Sequence, residues 1–163
     1  MKRYPEGEAG DAIGIEEAFR EAIRYDPGNA PAHYILGSAL QRQERYPEAE
    51  AAYREAIRLD LGDTDPQLGL GDVLRRLERY PEAWAAYREA TWLDPFNADA
   101  HSALGNALWD MKRYPEAEAA FREAVRLVPG NALAQEGLER LLRLRRPQPH
   151  GSPTRPSLGT RGR

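Results

Sequence analysis

Residues 46–60 read YPEAEAAYREAIRLD, and this stretch returns twice with small changes, at residues 80–94 and 114–128. The copies begin 34 residues apart (80 − 46 = 34 and 114 − 80 = 34), and each later copy keeps 12 of the 15 letters of the first. A fixed period of this length is typical of an array of small supersecondary units that stack on one another. We therefore predict a repeat protein.

Each unit reads as two antiparallel helices. In the quoted stretch Ala49, Ala52, Tyr53 and Ala56 recur at the spacing of one helical face, and Pro47 occupies a first turn where its missing N–H costs little. A leading helix precedes each copy and contains a leucine–glycine pair, whose glycine lets the two helices of the unit approach closely. These pairs are Leu36-Gly37, Leu70-Gly71 and Leu104-Gly105. With no strand predicted, the fold class is an all-α solenoid.

The periodicity divides the chain into three parts. Residues 1–14 are predicted to be irregular, because the glycines between positions 7 and 14 disfavour a helix, and Asp11 is a candidate cap for the helix that follows. The repeat domain spans residues 15–146. The proline- and glycine-rich residues 147–163 form a predicted disordered basic tail. Within the repeat domain, whole repeats are predicted at 30–63, 64–97 and 98–131, with a capping helix at 132–145.

Composition excludes several classes of protein. The 163 residues contain no cysteine, which rules out disulfides and thiolate metal sites. No apolar run reaches the roughly 20 residues that a membrane-spanning helix needs, and no signal-peptide core follows the first residues. We therefore expect a soluble, cytoplasmic protein.

Charge is unevenly distributed along the chain. Seven arginines and no acidic residue lie between Arg140 and Arg163, so the remaining chain has 16 basic and 26 acidic residues, a net charge of about −10. A basic tail of this kind binds polyanions in a salt-dependent way. Binding of a polyanion or nucleic acid through the tail is therefore the alternative function, although the tail has no interleaved aromatic residues.

The unit at 98–131 resembles the tetratricopeptide repeat consensus. It contains the Leu104-Gly105 pair and then, in order, Tyr114, Ala117, Phe121, Ala124 and Pro129. The resemblance covers about residues 15–144, as three repeats with a half repeat at each end. His33, Gln67 and His101 replace the tryptophan that is common early in the unit. The resemblance implies a right-handed superhelix whose leading helices line a concave groove, and a protein that binds peptides or other proteins as a scaffold.

The helical phase predicts which side chains face this groove. These side chains vary between repeats, whereas the leucine–glycine pairs do not. A binding surface requires such variation, but solvent-exposed positions without a function also vary freely. From the leading helices of the three repeats and the cap they are Tyr34, Ser38, Gln41 and Arg42; Leu68, Asp72, Arg75 and Arg76; Ser102, Asn106, Trp109 and Asp110; and Arg140 and Arg143.

Two better-defined subclasses of the resembled family do not fit. The positions at which some members clamp the terminal carboxylate of chaperone peptides are here Tyr34, Ser38, Gly69, Asp99 and Ala103, and a shift by one repeat matches no better. The positions of an asparagine ladder hold Ile35, Gly69 and Ala103. The partner is therefore predicted only as a protein or peptide.

Within the groove, Trp109 has two interpretations. An aromatic residue beside arginines is typical of a binding hot spot, but Trp109 could also lie along a neighbouring helix as part of the core. The groove arginines likewise form either a basic stripe for an acidic peptide or a face neutralised by Glu44, Asp72, Asp110 and Glu139.

No enzyme, metal or cofactor is predicted. His33 and His101 are two repeats apart and too distant to share an ion, so we expect them to serve packing. The carboxylates on helix surfaces pair with arginines three or four residues away. A last prediction concerns the N-terminal half repeat, whose apolar stripe of Ile15, Phe19 and Ile23 lacks a partner helix and could mediate self-association.

Overall fold

A computed structural model describes residues 6–145, and these form eight α-helices with no strand. The predicted all-α fold is confirmed. Helices α2 and α3 fall in the repeat predicted at 30–63, α4 and α5 in that at 64–97, and α6 and α7 in that at 98–131. The helices are α1 (Glu6–Tyr25), α2 (Ala30–Arg42), α3 (Tyr46–Leu59), α4 (Thr64–Arg76), α5 (Tyr80–Leu93), α6 (Ala98–Asp110), α7 (Tyr114–Leu127) and α8 (Ala132–Arg145).

The N-terminal segment differs from the prediction. Helix α1 begins at Glu6 and runs through Asp11 and Gly14, so residues 6–14 are helical and Asp11 is not a helix cap. The helix tolerates its glycines because alanine and glutamate, both good helix formers, lie between them. Residues 1–5 of the predicted irregular segment and the predicted tail at 147–163 lie outside the described residues.

The helices pack in sequential antiparallel pairs. Each helix contacts the next along the chain, and the leading helices α2, α4, α6 and α8 also contact one another in order. Within residues 6–145 the second helices α1, α3, α5 and α7 make no such contacts among themselves. The array therefore has an inner face formed by the leading helices and an outer face formed by the second helices.

One aromatic ring from each of the helices α3, α5 and α7 fills the core of its unit. Tyr53, Tyr87 and Phe121 are almost completely buried. The glycine of each leucine–glycine pair lies against the ring of its own unit, and a Cβ at Gly37 would lie 2.8 Å from the ring of Tyr53. A second glycine, on the next leading helix, contacts the other side of two rings: a Cβ at Gly69 or Gly137 would lie 2.5 Å from Tyr53 or Phe121.

The turns repeat as faithfully as the helices. Asn29 and Asn97 cap α2 and α6, each accepting a hydrogen bond from a backbone N–H three residues later. The equivalent residue of the cap, Asn131, accepts in the same way from the N–H of Ala134. The turns inside the three units each contain one non-glycine residue with positive φ, namely Glu44, Glu78 and Lys112.

Salt bridges join successive units on the outer face. Arg45 contacts Glu16 at 2.8 Å and Arg79 contacts Glu50 at 2.7 Å, and in both pairs the arginine follows the glutamate by 29 residues. Near the end of the array Arg145 pairs with Glu118. A hydrogen bond from the Gln43 side chain lowers the pKa of Glu16 most, and the hydrogen bonds from Arg20 and Arg45 lower it further. At the third joint the equivalent of the glutamate is Trp84, and the guanidinium of Arg113 stacks 5.1 Å from its ring centre.

None of the helices within residues 6–145 combines the length and the apolar character needed to cross a membrane.

Candidate partner-binding surface

A hollow of about 500 Å³ opens on the inner face between α2 and α4. It contains seven of the residues predicted for the groove, all from the first two repeats, which the helix contacts bring to one place. These are Tyr34, Ser38, Gln41, Arg42, Leu68, Asp72 and Arg76. The turn and core residues Glu44, Tyr46, Tyr53, Asp65 and Gly69 complete the lining.

Tyrosines form the floor of the hollow. The rings of Tyr34 and Tyr53 lie 6.0 Å apart between centres, tilted by 43°. The Tyr53 hydroxyl donates to Gln41 Oε1 at 2.7 Å and lies 3.2 Å from Ser38 Oγ. Burial raises the pKa of Tyr53 to about 12, so this phenol stays protonated at neutral pH. The floor thus consists of aromatic rings, with the Tyr53 hydroxyl held in place by hydrogen bonds.

Charged groups stand around the floor. Arg42 and Arg76 occupy equivalent positions one repeat apart (76 − 42 = 34), and both are exposed. Among residues 14–145, neither guanidinium has an ion-pair partner, whereas the other arginines of the α2–α5 units are paired or stacked. A carboxylate of a ligand would therefore displace water but no internal ion pair at these two positions.

Asp72 is one of three acidic residues that line the hollow, together with Glu44 and Asp65. It accepts a hydrogen bond from the Tyr87 hydroxyl at 2.6 Å. Loss of water around the carboxylate raises its pKa, although the bond from Tyr87 and the charges of Arg75 and Arg76 act in the opposite direction. Part of the side chain still faces solvent, so a donor group of a ligand can reach it.

The remaining predicted groove residues do not join this hollow. Arg75 points along the inner face and donates to Asp110 of α6 at 2.5 Å, which bridges the second and third units. Arg143 lies 3.5 Å from Glu139 on its own helix. Arg75 and Arg143 are thus paired with acids of this face, whereas Arg42 and Arg76 make no salt bridge among residues 14–145, although Glu44 and Asp72 line the same hollow.

Trp109 is held by its neighbours. Its ring meets Tyr114 edge-on at 5.2 Å, the Arg140 guanidinium lies 4.2 Å from its centre, and the ring packs partly against the core cluster around Leu108 and Phe121. This packing corresponds to the core interpretation of Trp109. Both Trp109 and Arg140 lie away from the residues of the hollow.

The prediction that Ser102 faces the groove is wrong. Ser102 is 0% exposed and donates to the carbonyl of Ala98 at 2.9 Å, with Asn131 Oδ1 at 3.1 Å. The serine is small enough to be covered at a position where Tyr34 and Leu68 reach outward. Asn106, one turn further along α6, stays partly exposed.

Two further sequence hypotheses concern histidines and self-association. His33 Nε2 lies 3.1 Å from the Pro27 carbonyl and His101 Nε2 lies 2.9 Å from the Pro95 carbonyl, so both tie a leading helix to the turn before it. Residues 6–145 contain no cluster of three potential metal ligands.

In the N-terminal half repeat, Phe19 and Ile23 pack against the first core cluster and Ile15 is partly buried.

Sequence reasoning missed the part of the hollow that comes from the framework. Tyr53 and Gly69 were assigned to packing or passed over, because Tyr53 belongs to the repeated stretch. The available signal was the phenol: Tyr53 has a hydroxyl that Phe121 lacks at the equivalent position, and a buried hydroxyl needs a polar partner.

The family model described as Tetratricopeptide repeat matches residues 16–66 and 68–132. The chain therefore belongs to the tetratricopeptide repeat family, as the repeated letters predicted. No catalytic family is among the matches.

Solved structures share the fold. The crystal structure of MamA is 22% identical, with a TM-score of 0.78 over 82% of this chain and 78% of that one. The Arabidopsis OM64 TPR domain is 26% identical, with a TM-score of 0.69 over 71% of this chain and 95% of the domain. The first TPR of Spaghetti (RPAP3), bound to the HSP90 peptide SRMEEVD, is 21% identical, with a TM-score of 0.69 over 71% and 91%. A search of curated proteins gives no match.

Proposed function

We propose that this chain is a non-enzymatic interaction module that binds a segment of a partner protein in the hollow between α2 and α4. The observation that supports this most directly is the pair of exposed guanidiniums, Arg42 and Arg76, beside the tyrosine rings of the floor. An apolar anchor with adjacent charge-assisted donors is a common arrangement for recognising a peptide.

The peptide chemistry follows from the lining. Tyr34 and Leu68 offer apolar contact to the ligand. The two arginines lie one repeat apart in the array and favour a ligand with two carboxylates that match the separation of the guanidiniums. The RPAP3 domain shows that a related fold holds a short acidic peptide. The residues that would clamp a terminal carboxylate are absent here, so the proposed ligand is an internal segment that presents acidic side chains and not that particular peptide.

A displayed library of random peptides tests the proposal. Peptides are selected on the full chain, and their dissociation constants are then measured by fluorescence anisotropy for the wild type and for a double variant, Arg42→Glu with Arg76→Glu. We expect selected peptides to be rich in acidic residues and to bind the variant at least tenfold more weakly, because two donors become repulsive.

Two controls isolate the hollow. The double variant Arg24→Glu with Lys112→Glu makes the same change in net charge at exposed positions outside the hollow, and it should bind as the wild type does. A chain that ends at residue 146 tests the tail. Retained binding agrees with the hollow, whereas loss of binding on truncation, with no effect of the arginine variant, would assign the function to the basic tail.

A further inference from the structure

The outer face of α5 departs from the pattern of the other second helices. In α3, Arg54 pairs with Glu50 at 2.9 Å and Arg58 with Glu55 at 2.6 Å; in α7, Arg122 pairs with Glu118 at 2.5 Å and Arg126 with Glu123 at 2.6 Å. In α5 one member of each pair is a tryptophan. Trp84 replaces the first glutamate and Trp92 the second arginine.

Both tryptophans leave a charge without its usual partner. The Arg88 guanidinium stacks 4.7 Å from the ring centre of Trp84 in place of an ion pair. Glu89 is exposed, and within residues 14–145 it has no ion-pair partner, although its equivalents Glu55 and Glu123 each have one. Trp92 itself is 73% exposed, and together with Arg88 and Glu89 it lines a shallow recess of about 370 Å³.

The turn after α5 adds another exposed ring. Phe96 is 77% exposed, at a position where the other three turns have glycine. The α5 ridge is defined here as Trp84, Arg88, Glu89, Trp92 and Phe96. Trp84 is partly buried against both core clusters, whereas Trp92 and Phe96 are exposed. Helices α3 and α7 and their turns adopt the same fold without aromatic residues at the positions of Trp92 and Phe96, and exposed aromatic residues that the fold does not need indicate an interaction surface.

We propose that the α5 ridge docks a second copy of this chain. In a two-fold interface the same patch meets itself, so the patch must be self-complementary. The ridge meets this condition, because it presents one positive and one negative group, Arg88 and Glu89, beside the exposed ring of Trp92. A partner of a single sign of charge would leave one of these two groups uncompensated.

The exposed area sets the strength of the contact. Two aromatic side chains at about three-quarters exposure offer roughly 300 Å² per copy, against about 800 Å² per partner in a standard stable interface. An area below that of a standard interface corresponds to a weak, concentration-dependent dimer, not a permanent one.

Sedimentation velocity on the full chain, from low to high micromolar concentration, tests the proposal. The key variant is Trp92→Arg, which installs the residue that α3 and α7 have at this position and offers Glu89 an ion-pair partner. We expect it to raise the dimer dissociation constant at least tenfold with no loss of thermal stability. Arg88→Glu alone should also weaken the dimer, and combining it with Glu89→Arg should restore it.

Cross-linking gives a second readout that does not depend on weakening the ridge. Since the chain has no cysteine, Ala85→Cys introduces a single thiol at an exposed position one turn before Glu89 and leaves every ridge residue in place. Under mild oxidation it should form a disulfide-linked dimer at least tenfold faster than the matched variants Ala51→Cys and Ala119→Cys, which place a thiol at the same helical position of α3 and α7.

Three results would overturn the proposal. One is a chain that remains monomeric throughout the concentration range. Another is a dimer that persists in Trp92→Arg but disappears in Ile15→Gln, since this would place self-association at the N-terminal half repeat. The third is equal cross-linking of the three cysteine variants.

Discussion

The two halves of the inner face share one framework but differ in how their side chains fill it. Between α2 and α4 a hollow stays open, and Arg42 and Arg76 face it without an internal ion pair among the described residues. Between α6 and α8 the Arg140 guanidinium stacks on the Trp109 ring, and Ser102 is buried away from solvent. The framework therefore fixes where a groove can form, and a few variable side chains decide which part of it stays open.

The largest expected effect tests the shared framework. Gly69→Ala places a Cβ 2.5 Å from the Tyr53 ring. A gain in helix propensity of about 1 kcal/mol is outweighed by overpacking of about 3 kcal/mol, so the free energy of unfolding should fall by about 2 kcal/mol. Gly137→Ala in the other half should cost about the same. Urea denaturation measures both.

Gly14→Ala is the control for these substitutions, because it also lies in a helix but has nothing within 4 Å of the added Cβ. It should leave stability unchanged or raise it. If Gly69→Ala were as harmless as Gly14→Ala, the rings would not be tightly enclosed, and the idea of a common framework would fail.

A smaller effect is expected at the junction between the halves. Asp110→Ala removes the 2.5 Å contact with Arg75. The arginine is more than one-third exposed, so the loss of stability should be only about 0.5 kcal/mol. The more informative result is that Arg75 is released beside Arg76, so acidic peptides selected on the wild type should bind the variant more tightly. Unchanged or weaker binding would show that Arg75 does not reach the hollow.

The closed half can be tested through its stacked pair. Arg140→Ala removes the cation 4.2 Å from the Trp109 ring and should cost about 0.5 kcal/mol, as expected for a cation–π contact near the surface. In a background with Trp84→Phe and Trp92→Phe, Trp109 is the single tryptophan, and its fluorescence should shift to longer wavelength as its environment becomes more polar. A Glu136→Ala variant, at an exposed position of the same helix as Arg140, serves as the control, and an equal shift there would argue against a specific stack.

The smallest effect concerns the pH dependence of the hollow. The raised pKa of Asp72 means that its charged form is disfavoured in the folded chain, so this carboxylate lowers stability at neutral pH and ceases to do so as pH falls below its folded pKa. Asp72→Asn keeps an acceptor for the Tyr87 hydroxyl. It should melt slightly higher than the wild type at pH 7, and the difference should fade as pH falls through the raised folded pKa and be gone below about pH 4.

An acid of the outer face should behave in the opposite way. The hydrogen bond from Arg79 lowers the pKa of Glu82, so its charged form contributes stability above the unfolded pKa, and this contribution is lost as pH falls. Glu82→Gln should therefore melt lower than the wild type at pH 7 and converge with it in acid. Thermal melts from pH 3 to 7 distinguish the two signs.

Much of the architecture was predictable because it is repeated. The 34-residue period predicts the helix pairs. The leucine–glycine pairs predict that Gly37, Gly71 and Gly105 lie close to the partner helix, where they contact the aromatic rings. The contacts of Gly69 and Gly137 were not predictable in this way, because Ile35 and Ala103 occupy equivalent positions and hide the pattern. The glycines of α1 led to a wrong prediction of an irregular segment at residues 6–14. Local helix propensity alone does not show whether a helix continues through a glycine.

The candidate site was predictable only in outline. Helical phase brought together the side chains of α2 and α4, but it could not show that Ser102 is covered by Asn131 from 29 residues away. Nor could it show that Arg75 turns toward Asp110 while Arg76 does not. Such choices depend on the length and partners of individual side chains, which a repeat pattern averages out.

The salt bridges between successive units have a consequence for how such a chain can change its length. Glu16 with Arg45 and Glu50 with Arg79 keep the same spacing of 29 residues, shorter than the 34-residue period. Removal of the unit at 64–97 would place Arg113 at that spacing from Glu50 (113 − 34 − 50 = 29). Loss of the unit at 30–63 or of that at 64–97 therefore preserves the joint between its neighbours, and the array can be shortened there in evolution without new compensating mutations.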